Sequence, residues 1–233
     1  MRHIVSAACG LWLCLAGSVL AQGKPGVVVE LYTSQGCSSC PPADEFMAEL
    51  AQAEGVIALS LHVDYWDYIG WEDSFAQGRF TDRQKAYARA SGSRMIYTPQ
   101  MIVGGTDRVE GHTPETVVRK IGKHMNRISP VRLSITRDGD TVVIRAEANP
   151  PLDYGTRVQL VRYLPSATVT IERGENAGRT VVYSNVVTSW EVVGEWPGQS
   201  PLELLADAPG DDPVVVIVQR DGPSEILAAA RLD

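Results

Sequence analysis

Residues 26–32 read Gly-Val-Val-Val-Glu-Leu-Tyr, and after a short turn the chain continues Cys37-Ser38-Ser39-Cys40-Pro41-Pro42. A β-branched apolar run with a single acid, closed by turn residues, is the pattern of a buried strand. Ala43 to Ala53 then has the composition of a helix, with Asp44 and Glu45 near its start, where the helix dipole favours acids. The two cysteines therefore fall at a strand-to-helix junction. There, the unpaired N–H groups of a helix start can stabilise a thiolate on the first cysteine, and the second is near enough to attack a mixed disulfide. The prolines complicate this, because each removes a backbone donor. With a helix starting near Ser38, Pro41 is tolerated and Pro42 costs a ladder bond; with a restart at Pro41, Cys37 is left in a turn with weaker dipole help.

The N-terminus is expected to be removed. Arg2 and His3 precede an apolar run from Ile4 to Leu20, and Val19-Leu20-Ala21 supplies a cleavage site before Gln22. Residues 1–21 thus read as a signal peptide, and the protein as exported, periplasmic or secreted. Cys9 and Cys14 leave with that segment, so of four cysteines only Cys37 and Cys40 remain. A single close pair is too little for a disulfide framework and reads as chemistry. The net charge of −7 gives no reason to expect nucleic acid, or an anionic membrane after cleavage, as a partner.

The pattern changes near Ser129-Pro130. Before it, strand and helix signals alternate: a strand at 56–63, a helix at 74–91, a hairpin at Gly104-Gly105 between 100–103 and 108–110, and a helix from Pro114 to about Arg127 capped by Thr113. That order predicts a mixed sheet with helices on both faces over residues 22–129. Beyond it, candidate strands at 131–137, 141–148, 156–164, 167–172, 179–188, 190–194, 202–206, 213–220 and 225–231 predict a mainly antiparallel, sandwich-like region over 130–233.

The run Val29 to Cys40 resembles the active-site segment of the thioredoxin superfamily, nearest in texture to its glutaredoxin-like members, and Tyr97-Thr98-Pro99-Gln100 resembles that superfamily's cis-proline loop. Almost the whole mature chain is similar to an uncharacterised secreted family, domain of unknown function 1223. The residues carrying that likeness are the Cys-x-x-Cys segment, the stretch Asp64 to Trp71, the Tyr-Thr-Pro-Gln element and Arg173 to Arg179. The resemblance implies a thioredoxin-like α/β domain, with Cys37 as exposed nucleophile, Cys40 as resolving thiol and Pro99 as cis-proline. It further implies that the Thr98 backbone pairs with an extended substrate and that Glu30 is a buried acid shuttling protons beneath the pair. A carboxylate in an apolar strand is costly without a role.

Tyr65, Trp66, Tyr68 and Trp71 follow the second strand, where ligands bind in open sheets of this kind, so Tyr65, Trp66 and Trp71 are candidates for a substrate rim. Packing is the competing use of such rings. Arg173 to Arg179 is either a strand-connecting turn or a loop reaching across to the cysteines.

The chemistry expected is dithiol–disulfide exchange with protein or small-molecule thiols and disulfides, requiring no cofactor. A soft-metal carrier using the two thiolates with His62 or His112 is one alternative, and a binding module whose pair stays oxidised is another.

Overall fold

The computed structural model describes residues 23–111 and 113–233; the expected leader and His112 lie outside them. In chain order the strands and helices are β1 (Lys24–Pro25), β2 (Val27–Thr33), α1 (Pro41–Gln52), β3 (Val56–His62), α2 (Gly78–Ala90), β4 (Gln100–Val103), β5 (Asp107–Glu110), α3 (Pro114–Met125), β6 (Val131–Asp138), β7 (Thr141–Ala148), β8 (Thr156–Thr170), β9 (Thr180–Trp196), β10 (Leu202–Asp207), β11 (Val214–Arg220) and β12 (Ile226–Leu232). A 3-10 turn at Asp67–Ile69 interrupts the segment between β3 and α2.

These elements overturn the expected fold class. Instead of a helix-flanked thioredoxin-like unit followed by a separate sandwich, one curled nine-stranded sheet runs through both halves in the order β1-β12-β11-β8-β9-β3-β2-β4-β5, with a second sheet β10-β7-β6. The molecule is mostly strand. The join lies at β3, whose far edge pairs in parallel with β9 at Ser60↔Val186. Ser60 Oγ donates to the Ser184 carbonyl at 2.8 Å, and Asn185 Nδ2 donates to the Ala58 carbonyl at 2.9 Å. An open strand edge is a row of unpaired donors and acceptors, and β9 satisfies it.

Packing follows the same continuity. On one face of β2 and β3, Val29, Leu31 and Ala58 meet Ala43, Met47 and Leu50 of α1 and Val117 and Ile121 of α3. On the other face, Val28, Tyr32, Ile57, Leu59 and Leu61 meet Phe80 and Tyr87 of α2 together with Val161, Val187, Val215 and Ile217 from β8, β9 and β11. That second core draws from both halves of the chain. A third core packs the β10-β7-β6 sheet on β8, β11 and β12, with Ile135, Ile144, Val158 and Val216 at its centre.

Four of the expected C-terminal strands merge in pairs. Segments 156–164 and 167–172 form most of β8, and 179–188 and 190–194 form most of β9. Pro165, which cannot donate to a ladder, falls between the first two segments. The ladder skips it, passing from Leu164↔Val186 to Ser166↔Ser184, while Asn185 opposite takes φ 50°. The hairpin continues through it in the same register.

The Gly104-Gly105 turn is seated against the C-terminal half: Ile226 N donates to the Gly104 carbonyl at 3.0 Å. Gly105 has φ +75°, and a Cβ on it would collide with the Ser224 carbonyl oxygen. Gly105→Ala is therefore expected to destabilise the protein by roughly 2–3 kcal/mol, from the left-handed backbone and the backbone collision together. Urea denaturation measures this directly; a loss under 0.5 kcal/mol, a bound placed at about the noise of surface substitutions, contradicts it.

Candidate functional site

β2 ends at Thr33, and residues 34–37 turn so that Cys37 N donates to the Ser34 carbonyl at 3.1 Å. Cys37 and Cys40 are joined by a disulfide. α1 begins at Pro41, so Cys40 is its N-cap and Cys37 lies outside the helix. The two prolines occupy the first helical positions and carry no N–H. The next two donors, Ala43 N and Asp44 N, are both spent on the Cys40 carbonyl, at 2.8 and 3.1 Å. No backbone N–H at this helix start is left for a thiolate on Cys40. Ser39 Oγ lies 3.5 Å from Cys37 Sγ. A disulfide sulfur can only accept, so the hydroxyl is the donor.

One helical turn beyond Cys40, Asp44 points into the α1 face of the sheet and is 3% exposed. Its Oδ1 accepts from Thr33 Oγ1 at 2.8 Å. Burial raises its pKa from 3.8 to about 7, with His62 and the Thr33 hydroxyl opposing the rise. His62, fully buried, pairs through Nδ1 with Asp73 Oδ2 at 2.7 Å and sits edge-on to the Phe75 and Tyr183 rings. Its Nε2 has no hydrogen-bond partner. Burial, followed by the charges of Asp44 and Asp73, pushes the Tyr183 hydroxyl well above its ordinary range. Asp44, His62 and Asp73 thus gather a buried titratable group around the base of the Cys40 turn.

Glu30 lies elsewhere. It alternates along β2 with Val28 and Tyr32 and faces α2, the side of the sheet opposite α1. Its carboxylate accepts from Arg83 Nε and Nη2 at 2.7 and 2.9 Å, from Tyr32 Oη at 2.9 Å and from Tyr87 Oη at 2.6 Å. Arg83 also donates to Gln159 of β8 and Gln219 of β11, and its guanidinium stacks 3.8 Å from the Trp190 ring centroid. Burial alone would lower the Arg83 pKa; the Glu30 carboxylate together with Tyr87 and Tyr32 outweighs it and raises the value. This network ties the N-terminal strands to the C-terminal ones, and nothing in it reaches the disulfide.

The cis-proline loop and the aromatic segment meet the cysteine turn. Thr98-Pro99 is cis. Pro99 lies beside Gly111 and the first turn of α1: a Cβ on Gly111 would sit 2.8 Å from Pro99 Cβ and 3.1 Å from Ala43 Cβ. Trp66 Nε1 donates to Thr98 Oγ1 at 2.7 Å, and Gly36 leaves room for Trp66 and Ile69 against the turn. Trp71 Nε1 donates to Gln35 Oε1 at 2.8 Å. Tyr65 turns away toward α2, where its hydroxyl meets Gln84 Oε1 at 3.2 Å. Trp66 and Trp71 thus flank the turn, whereas Tyr68 is 81% exposed.

Cys37 is not open to solvent. It is 1% exposed and Cys40 0%, while Ser38 and Ser39 are exposed. Asn176 lies over it, donating through Nδ2 to the carbonyls of Gln35 and Cys37, both at 2.9 Å. The Arg173 to Arg179 loop therefore reaches across to the cysteines. Sequence reasoning singled out that loop but not the residue. It missed Asp44 as a buried acid, although the i, i+4 spacing from Cys40 was readable. Among the described residues, no three His, Cys, Asp or Glu side chains gather as a metal site.

With this geometry in place, a family model described as "Protein of unknown function (DUF1223)" matches residues 28–219. The chain belongs to that family. It is similar to the protein AGR_C_4864 from Agrobacterium tumefaciens, a crystal structure with 34% identity and a TM-score of 0.76 over 88% of this chain and 93% of that one. It is also similar in fold to HBP35 of Porphyromonas gingivalis, at 15% identity and a TM-score of 0.65 over 90% of this chain and 75% of that one. No protein with a curated description matches it. The family match spans the cysteine turn, the cis-proline loop and the Asn176 loop alike.

Proposed function

We propose that this DUF1223 member is an exported thiol–disulfide oxidoreductase, exchanging disulfides with protein or small-molecule thiols at Cys37 and Cys40. The observation that carries the reading is the disulfide itself, with a hydroxyl donor on Ser39 beside Cys37 and, four residues along the chain from Cys40, a buried carboxyl on Asp44 whose pKa is about 7. The local likeness of the Cys-x-x-Cys segment and the Thr98-Pro99 element to thioredoxin-superfamily active sites supports the same chemistry.

In the oxidising direction a substrate thiolate attacks Cys37 Sγ. The Sγ–Sγ bond breaks, a mixed disulfide forms on Cys37, and the electron pair leaves on Cys40. Cys40 has no free backbone donor to hold that charge, so the Asp44 carboxyl protonates it and becomes a carboxylate. A second substrate thiolate then attacks the substrate sulfur of the mixed disulfide. It releases the substrate disulfide and leaves Cys37 as a thiolate beside Ser39 Oγ. Two thiolates are oxidised and the cysteine pair is reduced. In reverse, Cys37 attacks a substrate disulfide and Cys40, deprotonated by Asp44, resolves the intermediate. Asp44 takes the proton-handling part that the resemblance would give to Glu30, because Asp44 shares the face of α1 with Cys40.

Cys40→Ser is expected to accumulate covalent mixed disulfides, resolved on non-reducing gels and lost on adding reductant, while Cys37→Ser forms none. Exchange with a dithiol substrate should fall to background in Cys37→Ser. A Cys37→Ser protein that exchanges at the wild-type rate rules the mechanism out.

A further inference from the structure

The exchange reading requires an incoming sulfur to reach Cys37, yet Cys37 is 1% exposed. What covers it is the end of the β8–β9 hairpin. Up to Arg162, β8 is held between β11 and β9 inside the large sheet. Beyond Pro165, opposite Asn185, the ladder pairs β8 only with β9, from Ser166↔Ser184 to Thr170↔Thr180. Near its base the ribbon is anchored by Tyr183, buried against His62 and Phe75. Toward the tip its side chains are more open, with Ser166, Thr168, Thr170 and Thr180 exposed.

The tip at the end of this ribbon is firmly built within itself. Gly178 N donates to the Ile171 carbonyl at 2.7 Å, Ile171 N to Arg179 O at 2.9 Å and Ala177 N to Gly174 O at 3.2 Å. Gly174 and Gly178 both take left-handed backbone angles, φ 79° and 81°. Its hold on the cysteine turn is much thinner. Gly174 rests against Trp71, and Asn176 Nδ2 makes the two hydrogen bonds to Gln35 O and Cys37 O. Asn176 is 2% exposed, and its Oδ1 is buried with no partner. An orphaned buried carbonyl oxygen forfeits a hydrogen bond that water would supply, so the closed position carries a standing cost that opening removes.

We propose that the tip, residues 171–179, is a lid over Cys37 and that Asn176 is its latch and the positioning residue of the turn, so that exchange at Cys37 waits on the tip lifting. The inference rests on the exchange reading for its biological use, but the lid itself is a statement about access. With the tip closed, Asn176 fixes the Cys37 carbonyl and shields the sulfur. With it lifted, Asn176 Oδ1 meets water, and an attacking thiolate can line up on Cys37 Sγ.

The test is the rate at which dithiothreitol reduces the wild-type disulfide, followed over a wide range of dithiothreitol concentration, beside Asn176→Ala and Asn176→Asp. Wild-type rates should level off at high dithiothreitol, where opening becomes limiting. Both variants should react faster in the linear range, by roughly 10- to 30-fold for two lost hydrogen bonds. The equilibrium potential of the pair should move far less than the rates do, which a general loosening of the turn would not produce. Asn176→Asp keeps the size of the side chain but presents oxygens to two carbonyls, so it opens the lid without leaving a void. Exchange of the Asn176 side-chain amide protons, which are held by the Gln35 and Cys37 carbonyls, reads opening in the wild-type protein without any substitution. Equal rates in all three proteins, with no plateau in the wild type, overturn the lid and leave the exchange mechanism standing. A Cys40→Ser protein that traps nothing, while the dithiothreitol rates still differ, overturns the exchange mechanism and leaves the lid.

Discussion

Arg83→Met is expected to lower stability by roughly 3–5 kcal/mol, because it strands the Glu30 carboxylate, 0% exposed, without its counter-charge. Two of the four hydrogen bonds to that carboxylate come from Arg83, and the two tyrosine hydroxyls that remain cannot neutralise it. The loss should spread across the molecule, since the same guanidinium reaches Gln159 and Gln219 of the C-terminal strands. Glu30→Gln on its own leaves a buried guanidinium short of a charge and should also destabilise. The double variant Glu30→Gln, Arg83→Met should recover much of the loss, as replacement of both members of a buried pair does. Urea denaturation of the four proteins gives the coupling energy. If the losses simply add, the pair is not acting as a unit. Glu30→Gln, wherever it remains folded, should leave exchange at Cys37 unchanged, because Glu30 faces α2 and the disulfide adjoins α1.

Asp44→Asn is expected to slow exchange on the order of 100-fold at pH 6, the size usual for losing a positioned acid, and by less at pH 9. With a pKa of about 7, Asp44 is mostly protonated at pH 6 and able to protonate Cys40; at pH 9 the wild-type protein has itself lost that proton. The pH–rate profile therefore separates a proton donor from a merely structural residue, for which the two profiles would run parallel. Stability carries the same signature with a fixed sign. Below pH 4, Asp44 is protonated in both folded and unfolded chains. Between about 4 and 7 the unfolded chain releases the proton while the folded chain keeps it, so stability falls as pH rises and then levels off. Integrated over a rise from 3.8 to about 7, the cost is on the order of 4 kcal/mol above pH 7. Asp44→Asn, which still accepts from Thr33, should be more stable than wild type at pH 8 and nearly equal to it at pH 4. Thermal unfolding at the two pH values measures the difference; equal melting temperatures at pH 8 would mean that Asp44 is not held protonated.

How far the sequence could be read differs from element to element. β2 and β3 were legible because both are continuous apolar runs, and Gly104-Gly105 because a hairpin turn needs left-handed residues. α1 was legible apart from its start, which the two prolines set at Pro41. The merging of β8 and of β9 was not, because what carries β8 past Pro165 is its unbroken pairing with β9, a segment distant along the chain. Glu30 was recognisable as a buried acid from its apolar neighbours. Its partner was not, since Arg83 lies on a different element and no local pattern joins them.

The sequence by itself determined the site's reactive atoms: two cysteines at a strand end, two prolines that strip the helix start of donors, and an acid one turn beyond Cys40. Those are local facts, set by spacing along one strand and one helix. Only the tertiary structure decided that the two halves share a sheet, that Glu30 and Asp44 face opposite sides of it, and that Asn176 closes over Cys37. Each of these depends on which strand covers the free edge of β3, and pairing between segments so far apart is set by long-range burial and hydrogen bonding rather than by any pattern within either segment.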